Sequence, residues 1–197
     1  GRGKHIFMDI YRKEGEQIVF GKSILAIICN GGLHAVENLG IYQDGMIDCW
    51  GLITLDEFQE KIKSGWIKTS VIAKKDIYIL PLGKVREGIF YPGVKEVELI
   101  KEVKDIIEEL NGRPTTSEIC IEVFAAYMKD ESVENKEKLK TAYENIPEHQ
   151  RKDVLGDDDL DDMPIRIALY GEESIENKIK LDIFRGKIAD YFKANTR

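Results

Sequence analysis

The chain of 197 residues is long enough for one large domain or two small ones, and its 43% of apolar residues can build a core. The net charge of −7 argues against duplex nucleic acid or an anionic membrane as the main partner, because both attract a basic surface. No apolar stretch approaches the roughly 20 residues that a membrane-spanning helix needs.

The cysteines indicate a reducing compartment. Cys29, Cys49 and Cys120 are three in number and form no CxxC pair, which argues against a disulfide scaffold. The residues before Ile6 and Phe7 lack the apolar core and cleavage site of a signal peptide. We therefore expect a cytoplasmic protein.

Residues 1–93 have the pattern of a sheet. Short runs rich in β-branched and aromatic residues are separated by glycine-containing turns, which is typical of strands. These runs are 17–20, 23–29, 40–42, 46–50, 66–72 and 76–80. Asp44-Gly45 predicts a hairpin with a type I′ turn. One helix interrupts the strands at about 55–64, because Thr54 and Glu57 have the spacing of a capping box and Gly65 can end the helix.

Residues 94–197 have helical spacing instead. The predicted helices cover 94–111, a segment from Thr115, 133–145, a short stretch after Pro147, 165–170 and 174–193. We therefore predict an α+β protein. A mainly antiparallel sheet with one inserted helix forms the N-terminal half and packs against a helical C-terminal half. The sequence leaves open whether the two halves form one compact unit.

A binding surface is predicted around the strand at 46–50. Alternation directs Ile47 and Cys49 to one face, and Asp48 and Trp50 to the other. With Trp66, which follows the inserted helix, Asp48 and Trp50 are our candidate binding residues, because tryptophan is enriched in binding hot spots. The competing interpretation is that the aromatic side chains fill the core and that Asp48 accepts a local backbone hydrogen bond.

Catalysis by Cys49 with His34, or zinc binding by Cys29, His34 and Cys49, is a weaker hypothesis. A Cys49 that faces the core is inert, and the spacing matches no zinc-ligand pattern. The HExxH, GxSxG and GxGxxG motifs do not occur, so catalytic residues stay unassigned.

The acidic run Asp157–Asp162 holds five carboxylates in six residues. Asp157, Asp159 and Asp161 are the candidate ligands for Mg²⁺ or Ca²⁺, which prefer oxygen donors. The run departs from an EF-hand loop, because its sixth position is Asp162 rather than glycine. The alternative is a solvated loop that caps the helix after Pro164, with Arg166 paired to Asp161 or Asp162.

Two blocks of sequence resemble bacterial proteins of unassigned function. One block is Tyr42–Gly51 with Ser64–Trp66, and the other extends from Pro147 to Arg166. The resemblance implies a bacterial domain family without a described activity, and it assigns no site residue.

The functional expectation is a non-catalytic module that binds another protein, without a cofactor. Acidic charge, an aromatic-rich N-terminal half and the absence of catalytic motifs favour this interpretation. The alternative is a metal-dependent hydrolase that uses the acidic loop 157–162. The sequence does not indicate the oligomeric state.

Overall fold

The computed structural model describes residues 8–72, 75–86, 88, 90–156, 161–171 and 186. The chain divides between Arg113 and Pro114 into two compact units. We call His5–Arg113 the sheet unit and the part from Pro114 onward the helical unit. Within the described ranges, no helix is long and apolar enough to cross a bilayer.

The described residues of the sheet unit form one mixed sheet of eight strands. In chain order the strands are β1 Met8–Glu14, β2 Gln17–Asn30, β3 Leu33–Tyr42, β4 Ile47–Asp48, β5 Leu52–Ile53, β6 Ile67–Lys68, β7 Ile77–Ile79 and β8 Gly83–Val85. All pairings are antiparallel except that of β3 with β7. The sheet is therefore mainly antiparallel, as predicted.

Strands β2 and β3 are central, and each has two shorter neighbours on its outer side. β1 pairs with residues 17–23 of β2, and β6 pairs with residues 27–28. On β3, β4 pairs with residues 40–41 and β7 pairs with residues 34–35. At the end of the sheet where β2 turns into β3, the strand order is therefore β6-β2-β3-β7-β8.

Gly21 lies inside β2, although the sequence pattern predicts a break between strands at 17–20 and 23–29. A Cβ atom on Gly21 would lie 2.6 Å from the carbonyl oxygen of Ile41 and 2.8 Å from the Tyr42 ring. Tyr42 is buried on this strand pair. Glycine here permits a close approach of β3 and does not make a turn.

Two helices cover one face of the sheet. α1 is Leu55–Lys63 and α2 is Glu96–Leu110. The predicted capping box is present, since the Thr54 hydroxyl accepts from the Glu57 N–H and the Glu57 carboxylate accepts from the Thr54 N–H. The predicted inserted helix is therefore confirmed.

The core of the sheet unit lies between this face and the two helices. Its buried side chains include Ile24, Ile28, Leu39, Ile41, Ile47, Cys49, Phe58, Leu99, Val103 and Ile106. Because α2 supplies three of these residues, it belongs to the sheet unit. The sequence analysis places a soft boundary at residue 93, whereas the division of the structure comes after this helix.

The helical unit contains α3 Thr116–Lys129, α4 Val133–Asn145, a short 3-10 helix Glu148–Asp153 and α5 Met163–Tyr170. Its core includes Phe124, Leu139, Ile146, Leu155 and Ile165, all of them buried. A second capping box opens α3 at Thr115, as predicted. The helix predicted over 174–193 lies outside the described residues. The predicted α+β class, with sheet in the first half and helices in the second, is confirmed.

Candidate functional site

The hairpin of β4 and β5 separates core residues from surface residues. Ile47 pairs with Ile53, and Asp48 pairs with Leu52. Directly opposed residues of an antiparallel pair share a face. Ile47 and Ile53 are buried in the core, whereas Asp48 is exposed and Leu52 is 43% exposed. The alternation predicted from the sequence is therefore present.

Trp50 occupies the turn of this hairpin in a left-handed backbone conformation, with φ of 56°. Such a value is a genuine outlier for a bulky residue. Gly51 has φ of 137°, and its N–H donates to Oδ1 of Asp48 at 3.2 Å. The N–H of Cys49 donates to the Gly51 carbonyl at 2.9 Å. Asp48 thus braces the turn, and the Trp50 side chain remains 50% exposed.

Trp66 is placed by the end of α1. Gly65 adopts φ of 80°, and the Trp66 N–H donates to the Lys61 carbonyl at 2.9 Å. The carbonyl of Trp66 accepts from the Cys29 N–H at 2.8 Å, which ties it to β2. Its ring is partly buried against the core. Both the α1 terminus and the central sheet therefore position this side chain.

The structure brings the two tryptophans together. The ring centroids of Trp50 and Trp66 are 5.7 Å apart with an interplanar angle of 89°, an edge-to-face contact. Nζ of Lys61 lies 4.0 Å from the centroid of the Trp66 ring, within the range of a cation–π contact. We call Asp48, Trp50, Leu52 and Trp66 the tryptophan surface.

Cys49 lies beneath this surface and is 3% exposed. Burial raises the pKa of its thiol to about 11, and the charges of Lys61, Asp48 and Glu37 act on this pKa as smaller contributions. The thiol is therefore protonated at neutral pH and is a poor nucleophile. His34 lies on β3 opposite Cys29, and its Nδ1 is 3.2 Å from the Gly32 carbonyl oxygen. Among the described residues, no three His, Cys, Asp or Glu side chains form a metal-binding group.

Comparison with family models assigns the sheet unit. The model of a domain of unknown function, DUF7638, matches residues 9–114, which is just over half of the chain. The chain belongs to the DUF7638 family. A second model of a domain of unknown function, DUF7639, matches residues 115–193. No curated protein and no solved structure gives a significant match.

The tryptophan surface lies within the DUF7638 match, and all its residues come from positions 48–66. The sequence analysis identifies Asp48, Trp50 and Trp66 but does not identify Leu52. If a tight turn at Trp50 is assumed, Leu52 is predicted to pair with Asp48 and to share its exposed face. The cation–π contact of Lys61 with Trp66 depends on how Gly65 ends α1, and sequence spacing alone does not give it.

In the DUF7639 region, Asp161 and Asp162, the described carboxylates of the acidic run, contact the start of α5 and its Arg166. Oδ1 of Asp161 accepts from the Met163 N–H at 2.6 Å and lies 3.7 Å from a guanidinium nitrogen of Arg166. Asp162 is buried, accepts from Nε of Arg166 at 2.9 Å and accepts from the Tyr143 hydroxyl at 2.5 Å. Burial, followed by this hydrogen bond, raises the pKa of Tyr143. The predicted pairing of Arg166 is present.

The proposed metal ligands Asp157 and Asp159 lie outside the described residues. Asp161, the described member of that set, contacts an N–H and a guanidinium. The first contact is with the N–H of the first residue of α5, and the second is an ion pair with the same helix.

Substitutions at Trp50 distinguish the effect of its left-handed backbone on the stability of the sheet unit from the effect of its ring contacts. Alanine and glycine both remove the ring, but alanine keeps a Cβ atom, which a left-handed residue tolerates poorly. We expect Trp50→Gly to be more stable than Trp50→Ala by about 1 kcal/mol in the free energy of unfolding. Urea titration followed by circular dichroism measures the difference. A more stable alanine variant would be inconsistent with the positive φ.

Proposed function

We propose that this protein is a non-catalytic module that binds another protein through the tryptophan surface. The observation that carries the proposal is Trp50, a half-exposed aromatic side chain held in a left-handed conformation against the edge of Trp66. Strained backbone of this kind concentrates at ligand clamps and other functional positions.

The composition of the surface supports recognition of a protein. Tryptophan contributes large contact area and is enriched among residues that dominate binding energy. Leu52 adds an exposed apolar side chain opposite Asp48, while Asp48 and Lys61 supply opposite charges to the surface and its border. An apolar centre with a polar border is the usual anatomy of a protein interface.

The ionisable groups beside this surface have structural partners. The Asp48 carboxylate accepts from the Gly51 N–H, and Cys49 is buried with its thiol protonated. Cys29, Cys49 and Cys120 are free thiols, which fits a reducing compartment such as the cytosol. These features support binding without a chemical step, in the cytosol.

Site-specific photo-crosslinking tests the proposal. One variant carries a benzophenone amino acid at position 52, opposite Asp48 in the hairpin that Trp50 closes. The matched control carries it at position 97, because Val97 is 57% exposed on α2. After irradiation in cells, we expect position 52 to yield one dominant protein adduct that position 97 does not yield. Both variants should retain the melting temperature of the wild type.

Two results would count against the proposed surface. One is the absence of any adduct from position 52 in the folded protein. The other is the same set of adducts from positions 52 and 97, which would indicate random collisions.

A further inference from the structure

One stretch of the sheet unit's sequence has the opposite charge to the chain as a whole. Between Lys61 and Arg86, the sequence holds seven basic residues and one acidic residue, Asp76, although the net charge of the protein is −7. The basic residues are Lys61, Lys63, Lys68, Lys74, Lys75, Lys84 and Arg86. We call this stretch the basic segment.

The fold places the basic segment on both sides of one end of the sheet. Its strand β6 pairs with residues 27–28 of β2, and its strand β7 pairs with residues 34–35 of β3. β7 continues into β8 through a short turn, and β8 pairs with β7. Hairpin β7–β8 thus extends the sheet beyond β3.

Apolar side chains are exposed at the turn of hairpin β7–β8. Leu80 and Leu82 are 60% and 88% exposed, and they flank Pro81 between the two strands. Val85 is 45% exposed on β8, and Ile72, which precedes the hairpin, is 77% exposed. Leu80 and Leu82, both strongly exposed at one turn, form an apolar tip of the kind that interaction sites use.

The base of the hairpin carries an excess of positive charge. Nζ of Lys84 lies 3.3 Å from a carboxylate oxygen of Asp76, and Nε of Arg86 lies 3.5 Å from the other oxygen. Two cations thus share the one carboxylate of the basic segment. Lys75, next in sequence to Asp76, is exposed. The exposed leucines are therefore bordered by positive charge.

We propose that hairpin β7–β8 docks on an anionic lipid bilayer. Leu80 and Leu82 enter the boundary between headgroups and acyl chains, while Lys75, Lys84 and Arg86 contact the anionic headgroups. The leucines project from a turn, so a bilayer can receive them without a complementary pocket. The attachment is peripheral, and it goes beyond the function proposed for the tryptophan surface.

The negative charge of the rest of the chain affects the orientation and the strength of the contact with the membrane. The acidic residues outside the basic segment are repelled by anionic lipid, so the protein can approach in one orientation, with the hairpin foremost. Binding is therefore expected to be reversible and to weaken as salt screens the headgroups. The net charge alone predicts repulsion from anionic membranes, because it does not show the local excess of positive charge at the hairpin.

Co-sedimentation of the full-length protein with lipid vesicles tests the proposal. At low salt, we expect binding to phosphatidylcholine vesicles that contain about 30% phosphatidylserine, and at least about tenfold weaker binding to phosphatidylcholine alone. The double variant Leu80→Ser, Leu82→Ser should lose at least about tenfold in the vesicle partition coefficient. Lys75→Glu should weaken binding without altering the apolar turn.

The matched control is the double variant Ile18→Ser, Phe20→Ser. These side chains are 51% and 59% exposed on β2, outside the basic segment, so this variant should bind as the wild type does. Thermal melts should show that all variants are folded. If the leucine variant were unfolded, Lys75→Glu would decide the test.

Three results would overturn the proposal: no binding of the wild type to anionic vesicles, equal binding by the leucine variant, or equal binding by Lys75→Glu.

Polyglutamate serves as a probe for an acidic protein partner. If it bound with the same dependence on Lys75 while anionic vesicles left the protein in the supernatant, the surface would recognise an acidic polypeptide and not a membrane. Neither double variant alters the tryptophan surface, so failure here is distinct from failure of the proposed function.

Discussion

Replacing Phe58 by alanine is expected to lower the free energy of unfolding of the sheet unit by about 3–5 kcal/mol. Phe58 is the fully buried side chain of the nine-residue α1, and Leu55 and Ile62 pack partly buried beside it against the core. Its removal leaves a cavity between α1 and the sheet, and a short helix has little stability of its own. Because α1 also carries Lys61 and leads to Trp66, the contacts of the tryptophan surface should weaken together with the fold.

Urea denaturation followed by tryptophan fluorescence measures this loss selectively, since Trp50 and Trp66 are the two tryptophans of the chain and both lie in the sheet unit. Phe20→Ala is the matched control, because Phe20 is 59% exposed and its truncation should cost less than about 1 kcal/mol. A wild-type midpoint for Phe58→Ala would show that α1 is not anchored as described.

Replacing Asp162 by alanine is expected to destabilise the helical unit by about 3 kcal/mol. The Asp162 side chain is buried and accepts hydrogen bonds from the Tyr143 hydroxyl and from Nε of Arg166. The variant leaves the buried Tyr143 hydroxyl without its acceptor and removes the nearer of the two carboxylate partners of Arg166, which keeps Asp161. Circular dichroism detects the loss, because most of the described helix lies in this unit.

A double-mutant cycle isolates the contact between Tyr143 and Asp162. Tyr143→Phe removes the donor while keeping the ring, so it should cost less than Asp162→Ala. In the Tyr143→Phe background, Asp162→Ala should then cost less than it does alone, by about 1 kcal/mol or more. Strictly additive effects would mean that the hydrogen bond contributes nothing to stability.

Local rules predict several elements of this fold well. Thr54 and Glu57 form a capping box that is specified within four residues, so the inserted helix can be found from spacing alone. The burial of Ile47 follows from alternation along a strand, whereas Cys49 is buried in the turn that follows β4. Helical spacing likewise predicts α2, but spacing gives the type of an element and not the layer on which it packs.

Other features of the fold differ from the sequence-based predictions or are missing from them. The sequence pattern predicts a turn at Gly21. In the structure Gly21 lies within β2, where the absence of a side chain makes room for the Tyr42 ring. The predicted type I′ turn requires positive φ at both Asp44 and Gly45, but of these two residues Gly45 alone adopts it, with φ of 85°. β1 is not predicted, because charged residues interrupt its apolar pattern.

Part of the candidate site was predictable for the same reasons. Alternation along β4 places Asp48 on the surface, whereas Trp50 lies in the following turn, and its contact with Trp66 depends on two turns separated by a helix. The basic segment is also not evident from the net charge, and the sequence does not show that its strands β6 and β7 pair with β2 and β3 at the same end of the sheet.

The claim that the tryptophan surface binds a protein is tested most directly by photo-crosslinking from position 52, with and without Trp50→Gly. This substitution removes the ring and suits the left-handed backbone, so the fold should persist. We expect the dominant adduct of the otherwise wild-type protein to disappear in the Trp50→Gly background. An adduct of unchanged identity and yield would contradict a role for Trp50 in recognition.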